Sequence, residues 1–157
     1  MDIKIQKASP YDLELLVKWR MTVLHEVFSV PWDEAMENLE RENRRYYQTA
    51  LETGEHEACF AYADDKLIGC GGVCFYREMP SPDNPTGGCA YLMNIYTAPA
   101  YRNCGAGKAI VTWLRQRAEE YGAGKVYLEA AEKAREFYKK MGFYDMRGYM
   151  KCPAGEG

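Results

Sequence analysis

From Ala90 to Trp113 the chain reads AYLMNIYTAP, then AYRNCGAGK, then AIVTW. The first piece is rich in aromatic and β-branched residues and predicts a buried strand, and the last opens an amphipathic helix. Between them lies Arg102-Asn103-Cys104-Gly105-Ala106-Gly107. A strand feeding a glycine-rich turn that opens a helix suits a phosphate group. The first N–H groups of a helix have no partner inside it, and the macrodipole adds partial positive charge there. Gly105 and Gly107 lack a Cβ, so an anionic oxygen can approach the main chain.

Two common phosphate loops fail on these residues. A P-loop needs G-x-x-x-x-G-K-[ST], but Arg102 stands at the first glycine and Ala109 follows Lys108. A dinucleotide turn needs G-x-G-x-x-G/A, and Ile110 is too bulky where the helix must approach the strand. What remains is R-x-x-G-x-G.

This pattern resembles the acyl-coenzyme A loop of the GNAT superfamily of N-acetyltransferases. Thr97-Ala98-Pro99-Ala100-Tyr101-Arg102 matches that family's strand end and lead-in, and Lys125–Ala130 followed by Arg135-Glu-Phe-Tyr-Lys-Lys-Met-Gly-Phe143 resembles its next strand and F-Y-x-K-x-G-F helix end. Two blocks in the right order and spacing are far more specific than either alone.

The rest of the chain agrees in its order of elements. Asp2–Lys7 alternates as a short strand. Ser9-Pro10, with Asp12, predicts a capped helix whose apolar positions are Leu13, Leu16, Val17, Val23, Leu24, Val27 and Phe28, ending near Pro31. A second helix starts near Asp33, carries Met36, Leu39, Asn43, Tyr46, Tyr47 and Ala50 on one face, and closes at Gly54. Strands are predicted over Glu57–Tyr62 and Lys66–Tyr76, with Gly69, Gly71 and Gly72 marking a bulge or close approach. Arg77–Gly88 predicts a mobile surface loop. After the central strand and a helix from Gly105 to Tyr121 come a strand over Lys125–Ala130, a helix over Glu132–Met141 and a last strand over Phe143–Lys151. The predicted class is an α/β mixed sheet in one domain, residues 1–157, in the order β-α-α-β-β-β-α-β-α-β, with a right-handed parallel crossover around the loop. That is the order of the GNAT fold, whose central parallel pair is splayed.

Length and composition set bounds. A chain of 157 residues supports one full core. A net charge of −3 gives no support for nucleic acid or an anionic membrane as partner. With no membrane-length apolar run and no signal peptide, the expected address is cytoplasmic. The six cysteines form no CxxC, and His25 and His56 offer no zinc spacing, so no metal is expected. Cys104 alone sits beside a helix N-terminus, where a thiol pKa can fall; it is read as an incidental small residue.

The resemblance implies a mechanism. Acetyl-coenzyme A (acetyl-CoA) lies with its pyrophosphate on the N–H groups of Arg102, Asn103, Cys104, Gly105, Ala106 and Gly107, with Lys108 adding charge. Its pantetheine arm pairs with main chain at Ile95, Tyr96 and Thr97. The acetyl group passes to a primary amine of a small molecule by direct attack, with Tyr138 as the acid that protonates the departing thiolate. The base stays open between Glu129, Glu26, His25 and a water relay. Two alternatives also stay open: a protein or peptide acceptor, and a non-catalytic acyl-CoA sensor. Homodimers are common in the family. Ala131 stands where the family often has Asn, which removes a side-chain contact to the cofactor, and Asn103 and Cys104 leave the loop less cationic. Glu26, Asp33 and Glu34, with Trp32, form an acceptor wall suited to a cationic amine.

Overall fold

The structure, a computed structural model that describes residues 2–155, is built on one sheet ordered β1-β2-β3-β4-β5. Its strands are β1 (Ile3–Lys7), β2 (His56–Ala63), β3 (Lys66–Arg77), β4 (Gly88–Thr97) and β5 (Lys125–Leu128). Neighbours are antiparallel except β4 and β5, which are parallel. Helices α1 (Leu13–Val27) and α2 (Glu34–Thr53) cover one face, while α3 (Ala106–Tyr121) and α4 (Arg135–Lys140) lie on the other.

Local chemistry explains the helix ends. Ser9 and Asp12 form a reciprocal capping box around a 3-10 turn, Pro10–Asp12, from which α1 continues. Asp33 caps α2 by accepting from Ala35 N and Met36 N at 3.0 and 3.3 Å. Asp33 is therefore occupied by the helix start rather than offered to an acceptor.

Periodicity then sets the two cores. Alternate strand residues point to opposite faces. Cys59, Ala61, Ile68, Val73, Ala90 and Leu92 meet α3, while Ala58, Phe60, Cys70 and Tyr96 meet α1 and α2. Ile110, Val111 and Leu114 are fully buried, each stabilising by about 1.5–3 kcal/mol. The predicted bulge falls between Cys70 and Gly72, and a Cβ on Gly71 would lie 2.5 Å from Ile110 Cγ2. The glycine is there because α3 crosses β3 at backbone distance.

Three expectations change. The Arg77–Gly88 segment is tied down: Asn84 is buried at 2% exposure and its Nδ2 donates to Gly88 O at 2.9 Å. β5 ends at Leu128, leaving Glu129 and Ala130 beyond the ladder. The predicted strand over Phe143–Lys151 does not form. Gly148 turns left-handed (φ +90°), and Tyr144, Tyr149 and Met150 remain exposed. The four-residue β5 offers too short an edge to nucleate a further pairing.

Candidate active site

Parallel pairing of β4 and β5 stops after four pairs, Cys89 with Lys125 through Leu92 with Leu128. Beyond Leu92, β4 bonds to β3 on one side and stands open on the other. Ile95, Tyr96 and Thr97 lie on this open half. Asn94 has φ +56° and marks the irregularity that re-aims the strand there.

The loop from Arg102 to Lys108 sits at the end of that half. Asn103 (φ +63°) and Gly105 (φ +93°) are both left-handed, and alternation of hand turns successive N–H groups to one concave side. Among the described residues, the six N–H groups of residues 103–108 have no protein acceptor, and the first bonded one is Ala109 N, to Gly105 O at 3.0 Å. Asn tolerates the left-handed region better than most side chains, so Asn103 holds this turn without a glycine. The Arg102 Nε donates to Thr97 O at 3.2 Å, which fastens the loop to β4. The Cys104 thiol turns back onto Tyr101 O at 2.6 Å, so it closes the turn. Lys108 is exposed and unpaired among the described residues.

The three candidate catalytic side chains are held by different elements. Tyr138 comes from α4 and is half-buried between Phe137 and Phe143. Burial pushes its phenol above the usual value, so it keeps its proton at neutral pH. A Cβ on Gly107 would touch the Phe137 ring at 3.4 Å, so the first turn of α3 packs directly on the helix that carries Tyr138. Glu129 is exposed and faces Tyr91; burial first, and then this carboxylate, raises the Tyr91 phenol. Glu129 and Tyr138 line one groove of about 1210 Å³, which runs along β5 and is walled by the residues 142–149 segment. Glu26, at the end of α1, accepts a hydrogen bond from Tyr96, whose phenol is pushed up to about 12 by burial and then by Glu26. It lies outside that groove.

His25 is committed elsewhere: its Nδ1 is 2.8 Å from Val30 O and its ring packs at a tilt against Trp32, with centroids 4.4 Å apart. Ala131 presents no polar side chain, and its carbonyl accepts from Ala134 N at 2.9 Å. Among the described residues no group of three His, Cys, Asp or Glu is arranged to hold a metal, and no helix is long and apolar enough to cross a membrane.

The sequence reading passed over Arg20. Its Nε donates to Asn43 Oδ1 at 3.2 Å and its Nη1 to Asn94 Oδ1 at 3.1 Å, joining α1, α2 and the open half of β4. The signal was present: position 20 completes the helical spacing between Leu16, Val17 and Leu24, so a charge interrupts an apolar stripe.

A splayed parallel pair, a free N–H nest at a helix start and a tyrosine packed behind it invite comparison with known proteins. The family model described as Acetyltransferase (GNAT) family matches residues 22–143. The chain belongs to the GNAT acetyltransferase family. Among solved structures, it is similar to a protein from Clostridium acetobutylicum described as a predicted acetyltransferase with acetyl-CoA, with TM-score 0.86 and 26% identity over 96% of each chain. A GCN5-related N-acetyltransferase from Ralstonia eutropha shares the fold, with TM-score 0.83 and 21% identity over 98% of this chain and 100% of that one. A glucosamine 6-phosphate N-acetyltransferase of Trypanosoma brucei brucei is 36% identical over 67 residues, which is 41% of this chain and 46% of that protein's length. The matched part is thus about half of that relative.

Proposed function

We propose that this GNAT protein transfers the acetyl group of acetyl-CoA to a primary amine of a small molecule by direct attack. The observation that carries the reading is the row of six N–H groups at residues 103–108 that have no protein acceptor among the described residues, set against the open half of β4. In this reading those N–H groups and the start of α3 bind the pyrophosphate, and the open main chain of Ile95, Tyr96 and Thr97 pairs with the pantetheine amides. Arg102 shapes the loop through Thr97 O, and Lys108 supplies the free charge beside it.

An amine attacks only when neutral, so a proton must leave it, and the thiolate released from the thioester must gain one. Tyr138 is the donor: its phenol is neutral at pH 7 and, among the described residues, has no hydrogen-bond partner to compete for its proton. The two carboxylates serve different ends of the cleft. Glu129 follows the end of β5 and lines the groove beside Tyr138, while Glu26 is held on Tyr96 outside that groove. One amine therefore meets one of them, directly or through water. The similarity to a protein named glucosamine 6-phosphate N-acetyltransferase supports a small-molecule acceptor. The open groove along β5 supports a second reading, a peptide acceptor laid along it.

The test is a thiol-release assay with acetyl-CoA across amino sugars, amino acids, polyamines and short peptides. The expected result is turnover with small amines and its loss in Tyr138→Phe, while the acetyl-CoA thermal shift stays the same. An unchanged rate removes Tyr138 from the mechanism. Cofactor binding without turnover of any acceptor favours a sensor.

A further inference from the structure

The guanidinium of Arg20 is partly buried and, among the described residues, held only by neutral groups. Among the described residues it makes no ion pair. A cation taken partly out of water without a counter-charge is costly, and an anion placed beside it offsets that cost. Burial governs the neighbouring groups, lowering His56 on β2 and raising Tyr47 on α2 and Cys70 and Cys74 on β3; the Arg20 charge adds to the first effect and opposes the other three.

The group is also oriented. Asn43 is itself fixed, since its Nδ2 donates to Leu39 O at 2.8 Å, and Asn94 is the left-handed residue of the open half of β4. Two amide oxygens take Nε and Nη1, and among the described residues Nη2 has no partner. The planar fork of Arg suits carboxylate and phosphate oxygens. Farther along the same helix stands the opposite charge, Glu26 on Tyr96. They are six positions apart on α1, about 9 Å of rise at 1.5 Å per residue. The wall thus carries a positive end at Arg20 and a negative end at Glu26.

We infer that Arg20, set by Asn43 and Asn94, is an oxyanion subsite for the acceptor beside the open half of β4, so that the acceptors are small amines also bearing a phosphate or carboxylate group. The inference rests on the acetyltransferase reading and names its substrate class. Matched pairs test it: glucosamine 6-phosphate against glucosamine, and an amino acid against its amide, with wild type, Arg20→Gln and Arg20→Lys. In wild type, the anionic member of at least one pair has the higher kcat/KM, by about tenfold or more, as loss of a charge-assisted hydrogen bond implies. Which pair discriminates tells phosphate from carboxylate. Arg20→Gln removes that preference by raising KM for the anionic acceptor, and Arg20→Lys retains part of it. An acetyl-CoA thermal shift equal to wild type shows that the nest at residues 103–108 is intact in each variant.

Equal kcat/KM within both pairs, or a preference that survives in Arg20→Gln, overturns the inference. If no amine is turned over, the thermal shift given by glucosamine 6-phosphate in the presence of coenzyme A decides: a shift in wild type that Arg20→Gln loses supports the subsite, and any other result overturns it. Failure of acetyl-CoA itself to shift wild type overturns the parent reading instead.

Discussion

Replacing Gly105 by Ala isolates the backbone geometry of the loop from everything else. Gly105 has φ +93°, and a Cβ built there meets nothing within 4 Å. The substitution therefore adds no clash, only the cost of an L-residue in the left-handed region, about 1–2 kcal/mol. Because the loop is unpacked at this point, the free protein sheds that strain by relaxing Gly105 toward negative φ, which turns the neighbouring N–H groups away from their common side. Binding must restore the geometry, so the strain reappears as lost affinity, roughly 5- to 30-fold in Kd. Gly54 supplies the control. It closes α2 with φ +78°, also has nothing within 4 Å of a built Cβ, and lies far along the chain from the loop. Gly54→Ala carries the same backbone cost as a fall in Tm of about 2–8 °C and leaves acetyl-CoA affinity alone. Isothermal titration with acetyl-CoA, alongside thermal unfolding, measures both. Wild-type affinity in Gly105→Ala, or an equal loss in both variants, would falsify the claim that the left-handed turn prepares the site.

Two further outcomes follow from buried groups. His56 is brought down to about 4 by burial and then by Arg20, against an ordinary value of 6.5. The unfolded chain binds a proton between these values and the folded one does not, so this contribution is complete above pH 6.5 and is lost as pH falls toward 4, on the order of 3 kcal/mol. Urea midpoints measured from pH 7 to 4.5 fall accordingly in wild type and fall less in His56→Phe; identical slopes contradict the assignment. Gly71→Ala drives a Cβ to 2.5 Å from Ile110 Cγ2 and 3.1 Å from Leu114 Cδ1, costing about 1–3 kcal/mol as overpacking, which a chemical denaturation curve reads directly.

Local chemistry was legible in the sequence where one short stretch decides the outcome. Ser9 with Asp12, Asp33 before α2, and Gly54 and Gly122 after α2 and α3 each act within a few residues, and each ends or begins its helix as read. The R-x-x-G-x-G stretch was legible for the same reason, and Asn103 supplies one of its left-handed residues. What depended on distant partners was not legible. The Phe143–Lys151 stretch reads as a last strand, but a strand needs an edge of sufficient length, and β5 contributes four residues. Arg20, Asn43 and Asn94 come from three elements and meet only when α1 and α2 pack on the open half of β4. Pairwise spacing along the chain carries no trace of that meeting beyond one charge in an apolar stripe. The candidate bases show the same limit: Glu26 and Glu129 are ordinary exposed acids until Tyr96 and Tyr91 are seen beside them.

The central claim is that the N–H groups of residues 103–108 receive the pyrophosphate of acetyl-CoA. Amide proton and nitrogen shifts of the 15N-labelled protein, followed through a titration with acetyl-CoA, test it residue by residue. The account predicts saturable one-to-one changes that are largest at Asn103 through Lys108, with a second group at Ile95 through Thr97. Saturable binding whose largest changes fall elsewhere, or no binding at millimolar acetyl-CoA, contradicts it.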